Sequence, residues 1–411
     1  MLREYLLQIG RFSSAARLFL AAQFLYGIGL SMVWVLRNLF LRSAGFDEPF
    51  IGRTLSAQAC GMVAVVLLLT RFMDRMRAKG FMAAGVVLLA GGLAGVTLVS
   101  SRPAVLGLCF LTGVGMALLE VSTAPFLARH STEVERPFLF GVGTALSPMA
   151  GLVATLGIKA GALAWGENRG GYGNLMLAGA AAAAASIAVL ALVREKAAEP
   201  PPDGGDRLDW RKASRFCLPE VLFGLGAGLT IPFINLYFHS RHHVPAGTIG
   251  LYYAGAQTLM MVAFLSSPLV ARRFGAVPTI VAFELTSIPF FLVLALTTSL
   301  PVAVAAFLLR HACMNMIHPV SAHFAMTVVH PRQRARLNGL RQMSNKCAWV
   351  VATALGGWLI KSAPFVVDGF TTTMFTTIVL YVAGSALYWR FFGKEPAGRV
   401  LAPSSEPTLG S

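Results

Sequence analysis

Three ionisable side chains stand well inside long apolar stretches of this sequence. Glu120 lies in GMALLEVSTAPF, His318 in RHACMNMIHPVSAHF and Lys346 in LRQMSNKCAWVVAT. A charge in hydrocarbon costs about 2.5 kcal/mol or more, so such residues mark a cavity, a pathway or a buried partner. Buried carboxylates and imidazoles can also exchange protons near neutral pH. We predict that the three residues bind substrate or carry protons; a static ion pair or a hydrogen-bonded structural role is the alternative.

Arg37 is a fourth charge, in VWVLRNLFLRSAGF, five residues before Arg42. Five residues of helix advance about 7.5 Å. A long arginine side chain can reach across that depth to an interface. Arg37 is therefore either a cation that lines the outer mouth of a cavity or an interfacial anchor, and the sequence favours neither.

Polar residues share helical faces with these charges. His311 and Asn315 precede His318 at the spacing i, i+4, i+7, and Gln342 precedes Lys346 by four residues. His311 and His318 lie about 10 Å apart along a helix, too far to share one metal ion, so we expect no metal site. Further polar or aromatic candidates in the same kind of stretch, for helix packing or substrate contact, are Asn38, Asn235, Gln58, Gln257 and Trp34.

The composition indicates an integral membrane protein. The 411 residues are 56% hydrophobic and only 13% charged, with a mean hydropathy of +0.67. Soluble domains carry about 25% charged residues. The net charge of +16 is dispersed in short clusters between apolar runs, which is typical of membrane orientation rather than of nucleic-acid binding. Five cysteines without a CxxC pair favour neither a disulfide framework nor a zinc site.

The apolar runs predict an all-α membrane protein with two halves. A membrane span needs about 20 apolar residues. Residues 195–215 read as a charged, proline- and glycine-rich cytoplasmic linker between two six-helix bundles, 1–194 and 216–393, and residues 394–411 as a disordered cytoplasmic tail. The predicted spans are 18–41, 50–71, 80–99, 103–127, 138–163, 172–194, 216–239, 247–271, 277–297, 300–326, 335–361 and 370–391.

Lysines and arginines predict the orientation. If the N-terminus is cytoplasmic, 23 of the 34 fall in inside segments, 7 fall outside and the rest lie within spans. This bias places both termini in the cytoplasm. We expect a multi-pass protein of the bacterial inner membrane, with the first apolar run kept as a span rather than cleaved as a signal peptide.

An internal repeat relates the two halves. At an offset of 197 to 198 residues, Asn38 matches Asn235, YGIG at 26–29 matches FGLG at 223–226, and RPFLFG at 136–141 matches RARLNG at 334–339. A half with six spans ends on the side of the membrane where it began, so a duplicated half keeps the same orientation. The halves are therefore predicted to be parallel repeats around a central cavity. Such repeats build transporters whose site lies at the membrane midplane.

The loop after the second span resembles a family motif. TRFMDRMRAK, residues 70–79, is similar to the pattern G-x-L-A-D-R-x-G-R-K of the major facilitator superfamily: Asp74, Arg75 and Lys79 match and both glycines are lost. The second-half counterpart, PLVARRFGAV, retains Arg273. The resemblance implies a cytoplasmic gate at these four residues. It also implies that spans 1, 4, 7 and 10 line the cavity and that span 9, with Glu284, is an outer support.

The fifth span contains GTALSPMAG, residues 143–151, which resembles a decayed antiporter signature of the same family. The alternative is a proline-kinked helix whose small residues allow close packing.

Together these features predict a proton-coupled secondary transporter that works by alternating access and exports small amphipathic compounds. A proton-linked importer of a small anion is the alternative, and a membrane sensor or lipid scramblase is an alternative of another class. No G-x-x-x-x-G-K-[ST] motif occurs, so ATP is not expected as the direct energy source. We expect no enzyme activity, no cofactor and no nucleic-acid partner, and a monomer in the lipid bilayer.

Overall fold

The computed structural model describes residues 12–69, 78–132, 135–195, 209–329, 333–362 and 368–394. Within these residues the regular structure is helical throughout, which confirms the predicted all-α class. The helices in the first half are α1 Ser14–Ser43, α2 Glu48–Leu69, α3 Ala78–Leu98, α4 Arg102–Arg129, α5 Arg136–Trp165 and α6 Arg169–Leu192. Those in the second half are α7 Trp210–Thr230, α8 Ile234–His242, α9 Ala246–Phe274, α10 Ala276–Leu296, α11 Leu300–Val328, α12 Arg334–Ser362 and α13 Gly369–Phe392.

Each predicted span coincides with one of these long helical segments, with α7 and α8 forming a single one. The break falls at Pro232, which has no amide hydrogen to donate within a helix, and residues Ile231–Phe233 form a 3-10 turn. Ten segments of the described chain are long and apolar enough to cross a membrane. The other two helices, α9 and α12, are not among these ten, although with 29 residues each they are long enough to cross a membrane.

Polar side chains define several helix starts. Ser13, Ser101 and Asn168 accept hydrogen bonds from backbone amides in the first turns of α1, α4 and α6. These amides have no partner within the helix, so the caps fix where each span begins.

The chain forms two compact units. The first comprises Met1–Asp203, Gly228–Ala254 and Trp349–Phe370, and the second comprises Gly204–Ala227, Gly255–Ala348 and Thr371–Ser411. The predicted bundle boundaries at 194 and 216 stay a prediction. Most of the predicted linker, 196–208, and the predicted tail from 395 onward lie outside the described residues.

Small residues hold the first unit together. α3 packs on α4 where a Cβ on Gly85 would stand 2.9 Å from the Gly115 carbonyl oxygen. α2 packs on α4 more closely still, since a Cβ on Gly113 would stand 1.9 Å from the Gln58 carbonyl oxygen. Without a hydrophobic driving force between helices in lipid, such close backbone contacts supply much of the packing energy.

The second unit is built around aromatic rings and buried polar pairs. Phe216, Phe324 and Phe392 pack against one another among α7, α11 and α13, in tilted and edge-to-face arrangements. Glu284 of α10 is 3% exposed and accepts a 2.9 Å hydrogen bond from Ser385 Oγ of α13. Buried polar groups in a span need such partners, because hydrocarbon offers none.

Candidate functional site

A cavity of about 340 Å³ lies inside the first unit, between α1, α2, α4 and α5. Its walls are largely apolar, with a few polar groups, which is the usual character of small-molecule sites. The lining residues are Gln23, Tyr26, Gly27, Leu30, Met62, Met116, Leu119, Glu120, Thr123 and Ser147.

Helical spacing brings these residues together. On α1 they recur at positions 23, 26, 27 and 30, and on α4 at positions 116, 119, 120 and 123. Both sets follow the i, i+3, i+4, i+7 pattern that places side chains on one face. The cavity is therefore lined mainly by one stripe of α1 and one stripe of α4, with Met62 of α2 and Ser147 of α5 at its sides.

Glu120 is the one acid among the described residues that line this cavity, and its side chain is exposed into it. The neighbouring polar groups belong to Gln23, Tyr26, Thr123 and Ser147. Gln23 donates a 3.0 Å hydrogen bond to the Gly143 carbonyl, while its own carbonyl oxygen is buried without a hydrogen-bond partner. The cavity can thus hold a small amphipathic molecule by its apolar body and a hydrogen-bond donor or cation by Glu120.

Arg37 lies two turns beyond Leu30 on α1 and is 4% exposed. Its Nη1 donates a hydrogen bond to Gln58 Oε1, and the Gln58 amide nitrogen lies 3.0 Å from the Met116 sulfur. Trp34, one turn below Arg37, is 40% exposed. The structure therefore places Arg37, Gln58 and Trp34 in one region, with Met116 connecting it to the cavity.

Asn38 and Asn235 connect helices instead of lining the cavity. Asn38 Nδ2 donates to the Pro232 carbonyl over 2.6 Å, and Asn235 Nδ2 donates to the Val35 carbonyl over 3.0 Å. Both side chains are buried, and together they join α1 to the segment around the α7–α8 break.

The remaining second-half candidates belong to the second unit. His311 Nε2 is buried without a hydrogen-bond partner, and Asn315 bonds back to the His311 carbonyl over 2.7 Å. His318 and Gln342 are exposed, whereas Lys346 and Gln257 are half-buried. His311, Asn315 and His318 lie on α11, and Gln342 and Lys346 lie on α12. The roles predicted for these five residues and for Gln257 stay predictions.

The predicted cytoplasmic gate is described in part. Asp74 and Arg75 lie outside the described residues. Lys79 Nζ donates to the Ala191 and Val193 carbonyls over 2.8 Å each, at the end of α6. Arg273 is exposed, with its guanidinium 5.5 Å from the ring of Phe274.

Glu195, which was not predicted as a site residue, contacts the same end of α3 as Lys79. It accepts hydrogen bonds from the Ala78 and Lys79 amides over 2.7 and 3.1 Å, at the start of α3. A carboxylate at a helix start and an ammonium at a helix end both complement the helix dipoles. Lys79 and Glu195 thus tie α3 to α6.

Sequence reasoning also missed a partly buried ion pair in the second unit. Arg341 of α12 pairs with Glu220 of α7, and its Nη2 donates to Ser321 Oγ of α11 over 2.7 Å. The Arg341 side chain is buried in this pair, whereas the Glu220 side chain is 25% exposed. Glu220 carried a usable signal, since it is a carboxylate just inside an apolar run.

The cavity residues Gln23 and Tyr26 were missed as well. Their signal was the helical stripe that they form with Gly27 and Leu30. Over the described residues, no group of three or more His, Cys, Asp or Glu side chains is placed to hold a metal ion.

Comparisons with known proteins identify the fold. The family model described as Major Facilitator Superfamily matches residues 19–280 and 217–409. The chain is similar in structure to a bacterial homolog of the human lysosomal transporter Spinster, at 14% identity and a TM-score of 0.75, covering 92% of this chain and 96% of that one.

Two further solved structures are similar. The nucleoside transporter NupG matches at 16% identity and a TM-score of 0.72, over 93% of this chain and 99% of that one. The D-xylose-proton symporter matches at 12% identity and a TM-score of 0.74, over 92% of this chain and 97% of that one. At these identities the likeness establishes the fold alone. A comparison with curated proteins found no match.

Proposed function

The chain belongs to the major facilitator superfamily, and from that premise we propose that it is a proton-coupled exporter of small amphipathic compounds. As a member of this family it is a multi-pass membrane protein of the secondary-transporter class, and at the family level not an enzyme. The proposal adds the coupling ion, the substrate class and the direction.

The observation that supports the proposal is the position of Glu120 in the 340 Å³ cavity. The apolar walls, with Leu30, Met62 and Met116, suit the body of an amphipathic molecule. The carboxylate can hold either a proton or the donor group of a substrate, and the two compete for one site. Such competition couples the movement of the substrate to the movement of a proton, because each ligand leaves when the other binds.

The direction of transport rests on the fifth helix and on the charge bias. Ser147 lines the same cavity as Glu120; it lies in the segment that resembles the antiporter signature, beside the matching Pro148, but does not itself match the signature. The bias of lysines and arginines favours the bacterial inner membrane with both termini in the cytoplasm. An exporter in that orientation would take compounds from the cytoplasm and exchange them for external protons.

The test uses everted membrane vesicles from a host that lacks its own exporters. Respiration acidifies the vesicle interior, and a pH-sensitive dye reports dissipation of the gradient when a compound is added. With a panel of amphipathic cations and zwitterions, we expect at least one compound to dissipate the gradient in wild-type vesicles. Vesicles with equal amounts of Glu120→Gln should not respond, because an amide cannot carry the proton. Equal responses from the two proteins would remove Glu120 from the coupling.

A proton-linked importer of a small anion is the second candidate, and Arg37 is the observation that favours it. Right-side-out vesicles with an alkaline interior would then accumulate a labelled monocarboxylate. Accumulation that depends on Arg37 and is absent from the everted vesicles would replace export by import. Flux without any dependence on the gradient would favour a scramblase.

A further inference from the structure

The guanidinium of Arg37 is buried with little compensation among the described residues. Its Nη1 donates to a neutral amide, that of Gln58, and its Nε is buried without a hydrogen-bond partner. Among the described residues no carboxylate pairs with it. Desolvating a cation of this size costs several kcal/mol, and a neutral amide does not repay that cost. An anionic group from outside the chain would offset that cost.

The same helical face carries both the cavity and Arg37. Gln23, Gly27 and Leu30 line the cavity, and continuing at the same spacing leads to Trp34 and then Arg37. Arg37 is seven residues beyond Leu30, which is about 10 Å along the helix. The cavity-facing stripe on α4 extends to Arg37 as well, in the direction of decreasing residue number. Cys109, seven residues before the cavity residue Met116, is an electrostatic neighbour of Arg37.

Two side chains, Gln58 and the cavity-wall residue Met116, lie between Arg37 and the cavity. Gln58 accepts the hydrogen bond from Arg37 and places its amide nitrogen 3.0 Å from the sulfur of Met116, a cavity wall residue. An amide on a flexible side chain can turn away, and the sulfur is only a weak acceptor. A carboxylate or phosphate would then give Arg37 two parallel charge-assisted hydrogen bonds in place of one neutral bond.

We propose that Arg37 binds an anionic group of the transported molecule, with Gln58 as its partner when that group is absent. Glu120, about one helical turn below Met116, faces the opposite end of the same molecule. The substrate class is then a small zwitterionic amphipath, with a cationic or donor group at Glu120 and an anionic group at Arg37. This inference rests on the proposed transport function and narrows its substrate.

The first test is calorimetric titration of the purified full chain in detergent with three matched probes: aminooctanoate, octylamine and octanoate. Aminooctanoate should bind about tenfold to a hundredfold more tightly than octylamine, as one charge-assisted interaction provides. Arg37→Met should erase that difference, and Arg42→Gln, on the exposed end of α1, should preserve it. Equal binding of the two amines by the wild type, or a preference that survives in Arg37→Met, would overturn the proposal.

The second test needs no ligand. Arg37→Met keeps an unbranched apolar stem and removes the uncompensated charge, so the ligand-free variant should have a higher Tm than the wild type. A lower Tm would overturn the proposal whatever the titration gives, because Arg37 would then be a structural cation. If none of the probes binds, the direction of the Tm change alone decides whether the proposal stands.

These measurements distinguish the two proposals. Both are made on purified protein without a pH gradient, so they stand even if Glu120→Gln leaves gradient-driven flux unchanged. Loss of flux in Glu120→Gln combined with a lower Tm in Arg37→Met would keep the transport proposal and remove the zwitterionic substrate.

Discussion

The amide nitrogen of Asn38 lies 3.3 Å from the side-chain oxygen of Asn235, a residue 197 positions later in the chain. The two asparagines occupy matched positions of the internal repeat, and they meet where Pro232 interrupts the helix. Each amide also bonds a backbone carbonyl of the other segment, Pro232 for Asn38 and Val35 for Asn235. The repeat therefore supplies a reciprocal tether between α1 and α8.

We expect Asn38→Leu to lower the free energy of unfolding by about 1–3 kcal/mol, since the Pro232 carbonyl loses its buried donor. Thermal unfolding in detergent measures the change. The double variant Asn38→Leu/Asn235→Leu should lose less than the sum of the single variants, because both act on one tether. Strict additivity would mean that the two residues act independently.

Gly113 on α4 should not tolerate alanine. The added Cβ would stand 1.9 Å from the Gln58 carbonyl oxygen, which is backbone and cannot yield without separating α2 from α4. Overpacking of this kind costs about 1–3 kcal/mol. Gly107→Ala on the same helix is the control, because its Cβ would meet nothing within 4 Å. A Tm equal in the two variants would contradict the packing of α2 on α4.

Ser147→Trp should block the cavity without unfolding the protein. The serine side chain lines the cavity, so an indole there takes the space of the substrate. Gradient dissipation by the larger compounds of the vesicle panel should be lost. Met149→Trp is the matched control, since Met149 is 56% exposed on the same helix and does not line the cavity. Equal transport by both variants would place the substrate elsewhere.

The ion pair between Arg341 and Glu220 should show strong coupling. Glu220→Leu leaves a buried guanidinium without its carboxylate, which costs about 3 kcal/mol. Removing both charges, in Glu220→Leu/Arg341→Leu, should restore most of that loss, because desolvation of the pair is also removed. Unfolding of the four proteins of this cycle measures the coupling, and a double variant as unstable as the single one would argue against a buried pair.

The Asp47–Lys361 contact predicts a pH-dependent contribution to stability. Lys361 Nζ donates to Asp47 Oδ2 over 2.6 Å, and this ammonium lowers the pKa of the Asp47 carboxyl below its ordinary value. A lowered folded-state pKa stabilises the protein above the unfolded pKa, about 3.9, and that stabilisation is lost as pH falls through the folded pKa.

Wild type should therefore exceed Asp47→Asn in stability at neutral pH, and the difference should vanish in acid. Both side chains are partly exposed, so the difference should stay below about 1 kcal/mol. Tm measured from neutral to acid pH checks it, and added salt should shrink it. A constant difference across this range would show that Asp47 acts through something other than its charge.

Much of the fold could be predicted because its signals are local. Each of the twelve apolar runs coincides with a helical segment, and the seventh is interrupted at Pro232. The functional importance of Glu120 could also be predicted from the sequence, since a carboxylate in an apolar run must face something polar. Its companions Gln23 and Tyr26 were not identified, because their side chains gain a role only from the stripe of α4 opposite them.

The sequence by itself determined the membrane class, the helices, the repeat and the family resemblance, because hydropathy, proline chemistry and charge bias act within one segment. Only the tertiary structure decided which polar residues have partners. It placed Glu120 in a cavity, joined Asn38 to Asn235, paired Arg341 with Glu220 and left Arg37 with a neutral amide. The physical reason is that the cost of a buried charge depends on what lies across the helix interface, which one segment cannot specify.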